Sequence, residues 1–165
     1  MKATDYVKMA LDNSKGWALG LINDMKDSPT TQPTPNGGNH TLWVLGHVAH
    51  SESNLLDSFI LGKQNRFPEL DGLFSMRSTP STDGGKYPSF DELMKKFEEI
   101  RAASLAHLDT LNDQDLDKPT NAPADFGPMF GTVGACFAAM SSHLSFHSGQ
   151  VADARRAAGK GPLMA

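Results

Sequence analysis

Residues 133–154 read VGACFAAMSSHLSFHSGQVADA, and this stretch carries the clearest helical pattern in the sequence. Apolar side chains and one histidine recur in it at alternating spacings of four and three residues, which is typical of a helix packed in a bundle. The positions on this seam are Val133, Phe137, Met140, Leu144, His147, Val151 and Ala154. The spacing predicts a helix over about residues 130–158, which Gly159 and Pro162 end.

Three further helices are predicted by the same recurrence of apolar residues. Thr4 and Asn39 are suitable N-cap residues for the first and second helices. Ser89 and Glu92 have the spacing of a capping box at the start of the third. The predicted extents are Thr4 to the Asp27-Ser28-Pro29 stop, about residues 40–62, and Ser89 to about Leu111. Strand signals are nearly absent, so we predict an all-α four-helix bundle.

The connectors between these helices are irregular. Pro33, Pro35 and Asn36 break the first connector, and proline and glycine also interrupt residues 112–128. The connector over residues 63–88 is long enough to run the length of a helix and start the next helix parallel to the last. We expect this crossover to pack over the bundle with one short helical turn, burying Leu70, Leu73, Phe74 and Met76.

The composition limits the class of protein. The 165 residues fit one domain, residues 1–165, with 39% hydrophobic residues and a formal net charge of −4. Nucleic-acid binding usually needs a basic face, so we expect no nucleic-acid partner. The single cysteine, Cys136, cannot form an internal disulfide, and no apolar run approaches the length of a membrane span. We therefore expect a cytoplasmic protein that is not associated with a membrane.

Two histidines, His143 and His147, lie four residues apart in the fourth predicted helix. Side chains at this spacing lie one above the other, about 5–6 Å apart at Cβ, so both imidazoles can face one cation. The pair alone is a weak signal, because core histidines that are hydrogen-bonded to backbone or water explain it as well. A metal held by protein needs a third ligand, and a closed site needs a fourth.

His47 is a candidate for the third ligand, because it lies on a polar strip of the second helix with no evident structural role. If the second and fourth helices are neighbours, three nitrogens meet around a metal and leave a position open for water, as in a catalytic rather than a structural site. His50 could be a fourth ligand, a partner that orients a ligand, or part of a pocket wall, but we expect it at the surface rather than on the metal. His40 and His107 are not assigned to the site, and Cys136 is interpreted as a small core residue.

With these residues in view, the sequence resembles the DinB/YfiT family of small metal-dependent proteins, where DinB is the damage-inducible bacterial protein and not the polymerase of that name. Residues 42–49, LWVLGHVA, are similar to the family's Trp-x-x-Gly-His segment. Residues 87–93, YPSFDEL, are similar to the entry of its third helix. Residues 143–150, HLSFHSGQ, continue to Arg155-Arg156 and Gly159 like its last helix. The three segments occur in order and cover nearly the whole chain.

The resemblance implies a bundle of up-down-down-up topology, with the long crossover between helices two and three. It implies a divalent metal, nickel or zinc, bound by His47, His143 and His147. It further implies a homodimer and a small-molecule substrate. In some branches of the family, low-molecular-weight bacterial thiols such as mycothiol or bacillithiol are cosubstrates of a thiol transferase.

Three functions remain open at this point. The first is a metal-dependent enzyme that activates a thiol or water, hence a transferase or a hydrolase. The second is a non-catalytic protein that binds a metal or ligand for sensing or storage. The third is a structural bundle whose histidines are satisfied core groups. No catalytic general base is assigned by the sequence.

Overall fold

The computed structural model describes residues 1–34, 37–76 and 78–163, and over these ranges the chain is helical with no strand, which confirms the predicted all-α class. Pro35 and Asn36 of the first connector therefore lie outside the described residues. None of the described helices is long and apolar enough to span a membrane. The α-helices are α1 Ala3–Asp24, α2 Thr41–Ser53, α3 Asp71–Phe74, α4 Phe90–Leu108, α5 Gly127–Phe130 and α6 Val133–Ala157.

The long helices agree with the predicted ones to within a few residues, except that a π-helix, Asn54–Ile60, continues α2. All seven seam residues of α6 are buried. The capping box of α4 is confirmed, since Ser89 Oγ accepts from the Glu92 amide and Glu92 accepts from the Ser89 amide. The apolar seam of α6 is therefore buried along the whole helix.

Both predicted caps of the first two helices are wrong. The N-cap of α1 is Lys2 rather than Thr4. Asp113, from far along the chain, satisfies the first amides of α1 and lies 3.0 Å from the Thr4 nitrogen. The N-cap of α2 is His40 rather than Asn39, because the His40 ring accepts a hydrogen bond from the backbone of the first turn. Asn39 is free to point toward α6 instead.

The four long helices pack around a shared apolar core. α1 contacts α6 and α4, and α2 contacts the same two helices, so that α2 and α6 are neighbours as the metal hypothesis requires. Trp17 lies on the apolar stripe that predicts the first helix, where burial is expected, but it is 60% exposed. It lines an open groove between α1 and α6 with a volume of about 550 Å³. The predicted single domain and the up-down-down-up order of helices stay predictions.

The polar strip of α2 holds the crossover onto the helices. This strip consists of Trp43, His47 and His50 of α2 and of Asn54, the first residue of the π-helix that continues it. Its contacts with the crossover are Trp43 Nε1 to the Leu73 carbonyl at 3.2 Å, His47 Nδ1 to the Phe74 carbonyl at 2.7 Å, His50 Nε2 to Asp71 at 3.2 Å, and Asn54 to Asn65 at 2.8 Å. Leu70 and Phe74 are buried, whereas Met76 is exposed. The crossover therefore packs over the helices with a short helical turn, as predicted.

An ion pair that the sequence did not predict lies in the core. Arg101 of α4 is fully buried and donates to both carboxylate oxygens of Glu52 on α2, at 2.8 to 3.1 Å. A third bond runs from its Nη1 to the Leu11 carbonyl of α1 at 2.6 Å. One guanidinium thus joins three helices, and its donors are spent on buried acceptors rather than on water.

Replacing Arg101 by alanine should lower the free energy of unfolding by about 3–5 kcal/mol, because the Glu52 carboxylate would remain buried without its partner. Urea denaturation followed by circular dichroism measures the change. Arg156→Ala is the matched control, since it removes an exposed pair with Asp153 and should cost less than about 1 kcal/mol. Equal losses in the two variants would contradict the structural role of the buried pair.

Candidate metal centre

Three histidines from two helices meet in one place. His47 comes from α2, and His143 and His147 come from successive turns of α6. The Nε2 atom of His143 lies 3.2 Å from Nε2 of His47 and 2.9 Å from Nε2 of His147. His47 and His147 are buried, and His143 is partly exposed. The structure thus brings together the three residues that the sequence analysis selected, although their binding of a metal stays a prediction.

The cluster is positioned by helix packing and by Trp43. The spacing of four residues stacks His143 and His147 on one face of α6, and the contact between α2 and α6 brings His47 opposite them. The Trp43 indole lies one turn before His47 and stacks on its ring, with centroids 4.4 Å apart and planes 12° apart. The His47 ring is therefore clamped between an aromatic face and the two histidines of α6.

Hydrogen bonds fix the tautomers of two of the rings. His47 Nδ1 lies 2.7 Å from the Phe74 carbonyl, and His147 Nδ1 lies 2.8 Å from Oε1 of Gln150. Carbonyl oxygens only accept, so each Nδ1 carries the hydrogen and each Nε2 presents a lone pair. Asn39 donates to the same Gln150 oxygen at 3.1 Å, which supports this orientation of the amide. Outer partners of this kind orient ligating histidines in metal proteins.

The three Nε2 atoms cannot all be satisfied by one another. Only His143 is able to place a hydrogen on Nε2, and this hydrogen serves one of its two neighbours at a time. At least one buried lone pair is therefore left facing another nitrogen. Nitrogens bound to one ion at about 2.0–2.1 Å, with bond angles of about 90–110°, lie roughly 2.9–3.4 Å apart. The distances of 2.9 and 3.2 Å from His143 fall in this range, and all three ligand atoms lie within 4.8 Å of one another, so the cluster is compatible with a divalent ion.

Burial keeps these imidazoles neutral. Burial is the main cause that lowers the pKa of His47 to about 4 and the pKa of His143 to about 3, and repulsion between protonated neighbouring rings is a smaller cause of the same shifts. The pKa of His147 is lowered by burial as well, although its hydrogen bond to Gln150 opposes the shift. Metal ions bind neutral imidazole, so at pH 7 the rings are already in the form that binds.

The other histidines and the cysteine lie outside this cluster. His50 was expected at the surface and is instead 3% exposed, because it pairs with Asp71 of the crossover. His40 caps α2, as its place at a helix start suggested. His107 is partly buried on α4, and Cys136 is a buried core residue whose thiol pKa burial raises to about 11. None of the four belongs to the three-nitrogen group.

Sequence reasoning missed the partners that orient the ligands. Gln150 was in the last-helix segment and follows His147 by three residues, a spacing that places the two side chains on one helix face. That spacing could have identified it. The Phe74 carbonyl is a backbone group from a connector, and no residue pattern marks it. Asn39 was interpreted as a helix cap, which concealed its contact with Gln150.

Comparison with known proteins identifies a family. A family model described as the DinB superfamily matches residues 10–151. The matched range extends from α1 into α6 and contains all three clustered histidines. None of the curated proteins that were compared matches the chain.

The stability of the metal-free protein should fall on acidification, beginning near pH 6.5. The unfolded histidines titrate there, whereas the folded His47 does not take up a proton until about pH 4, so protons favour the unfolded state across this window. Above pH 6.5 the histidines are neutral in both states, so no stability is lost to their protonation there. Urea denaturation in a chelating buffer at a series of pH values measures the profile.

His143→Gln is the variant that tests the cause, because it removes one of the rings whose pKa is lowered. Its loss of stability between pH 6.5 and pH 4 should be smaller than that of the original protein by about 1 kcal/mol or more. Identical profiles would show that carboxylates alone account for the acid sensitivity.

Proposed function

Because the chain belongs to the DinB superfamily, we propose that it is a metal-dependent enzyme whose divalent ion is held by His47, His143 and His147. The observation that carries the proposal is the convergence of three Nε2 atoms with at most one hydrogen to share. Three protein ligands leave a coordination position open, which is typical of catalytic sites and not of structural ones.

Nickel or zinc suits an all-imidazole set of ligands. When bound, an ion of this kind lowers the pKa of a water or thiol that occupies its open position. The chain's own residues keep the ligands neutral, fix two tautomers and exclude water from the His47 and His147 side. The partly exposed His143 marks the side from which a small molecule reaches the site.

We propose a small-molecule substrate, with a low-molecular-weight thiol as the nucleophile that adds to an electrophilic partner. The Phe146 ring supports an apolar partner, because it is 66% exposed and lies 5.2 Å from the His147 ring. A metal-dependent hydrolase and a non-catalytic metal-binding protein are the alternatives, and both use the same three ligands. They differ from a thiol transferase in whether a thiol is consumed.

The proposal extends to the architecture and assembly. We propose that α1, α2, α4 and α6 form the up-down-down-up bundle of the family, because the crossover is long and lies between α2 and α4. The pairwise packing of these helices is consistent with that order. We also propose a homodimer, which size-exclusion chromatography with light scattering can test.

Protein purified without a histidine tag should contain about one equivalent of nickel or zinc per chain, and His143→Ala should lose it. His107→Ala is the matched control, because it removes a partly buried histidine outside the cluster and should keep the metal. Elemental analysis measures the content. Equal metal in both variants, or none in the original protein, would remove the metal-dependent function.

Chelation should lower the melting temperature but leave the helices intact. Ligand at 100 times its dissociation constant stabilises a protein by about 2.7 kcal/mol, and the apolar core of the bundle does not depend on the ion. Thermal melts and far-ultraviolet circular dichroism measure the two effects. Complete unfolding on chelation would contradict the expectation.

A screen of bacterial thiols with small electrophiles should show turnover in the metal-loaded protein and none after chelation. Loss of free thiol and formation of the adduct are both measured. The His143→Ala variant, which is expected to lack metal, is the inactive control. Metal-dependent hydrolysis of an ester without thiol consumption would favour the hydrolase, and metal binding without any turnover would favour the binding protein.

A further inference from the structure

The Phe74 side chain lies directly against the backbone of α2. Its ring is fully buried, and its carbonyl is the acceptor that holds His47 Nδ1 at 2.7 Å. The ring also packs against Tyr87, with centroids 5.3 Å apart. One residue of the crossover therefore contributes a packed ring and, through its backbone, the group that orients a proposed ligand.

Gly46 is the residue that makes room for this ring. A Cβ atom at position 46 would lie 2.6 Å from Cδ1 of Phe74 and closer still to Cε1 and Cζ, well inside van der Waals contact. Glycine within a helix costs about 1 kcal/mol relative to alanine, so its presence in the middle of α2 needs a packing reason. Gly16 in the middle of α1 provides a contrast, because a Cβ there would meet nothing within 4 Å.

We propose that Gly46 is a positioning residue of the metal centre, which admits the Phe74 ring so that the Phe74 carbonyl can fix the His47 tautomer. The inference rests on the proposed function and adds a residue that touches neither metal nor substrate. Gly46 immediately precedes His47, so the close contact and the oriented ligand lie on neighbouring residues of one helix.

A substitution at position 46 would act on the metal centre through the hydrogen bond of His47. A side chain at position 46 would push the ring, and with it the crossover backbone, away from α2. His47 Nδ1 would then lose its acceptor, and the ring could place its hydrogen on Nε2, where it would block the proposed ligand atom. Loss of outer partners of this kind typically weakens metal binding by about 10–100-fold.

The test compares Gly46→Ala with Gly16→Ala, which makes the same chemical change in a helix where nothing is in the way. Zinc affinity is measured by competition with a chromophoric chelator. Gly46→Ala should raise the dissociation constant by about 10–100-fold, and Gly16→Ala should leave it within about twofold. Equal affinities in the two variants would overturn the proposal.

A second readout does not need metal. Nitrogen chemical shifts of His47 in the metal-free protein should show the hydrogen on Nδ1 in the original chain and a mixture of tautomers in Gly46→Ala. If the original protein binds neither zinc nor nickel, the proposed function fails, while these shifts still decide the positioning role. If it binds zinc and the shifts do not change in Gly46→Ala, only the positioning role fails.

A double-substitution cycle tests whether the ring is the cause. Phe74→Ala keeps the backbone carbonyl but removes the ring that anchors it, so zinc affinity should fall as in Gly46→Ala. In the Phe74→Ala background, Gly46→Ala should have no further effect, because there is no ring to displace. Independent, additive losses would overturn the proposal. If Gly46→Ala does not fold, an unchanged His47 tautomer in Phe74→Ala overturns it as well.

Discussion

Nitrogen lone pairs that face one another away from water are the constraint around which this molecule is arranged. Two of the three rings are held with the lone pair inward by carbonyl acceptors, and burial disfavours the protonated forms that would otherwise relieve the repulsion. An arrangement of this kind is costly for an apolar core and useful for binding a cation. It separates this cluster from the buried ion pair of Arg101 and Glu52, in which every charge is matched within the chain.

Two polar clusters lie between the helices, the Arg101–Glu52 ion pair and the three histidines. The guanidinium of Arg101 joins α1, α2 and α4, and the histidines join α2 and α6. The buried guanidinium thus ties α1, α2 and α4 together, and the contact between His47 and the partly exposed His143 links α2 to α6. Such contacts are directional, unlike apolar burial, so they favour one register of the helices over others of similar hydrophobic area.

The sequence predicts the parts of this structure that depend on local spacing, and it misses those that depend on a distant partner. The seam of α6 and the pairing of His143 with His147 follow from helical periodicity, and the proximity of His47 followed once α2 and α6 were taken as neighbours. Arg101 lies 49 residues from its carboxylate, so no local pattern indicates that it is buried. His50 was misplaced for the same reason, because its partner is on the crossover.

The hydrogen bond between His47 and the Phe74 carbonyl couples the histidine cluster to the crossover, and this coupling is reciprocal. Any occupant that holds His47 still also restricts the segment that carries the acceptor. By thermodynamic linkage, the factor by which an ordered crossover would raise the affinity for an occupant equals the factor by which that occupant would favour the ordered crossover. If the proposed centre binds an ion, that binding and the order of the crossover near Phe74 are linked through this one hydrogen bond.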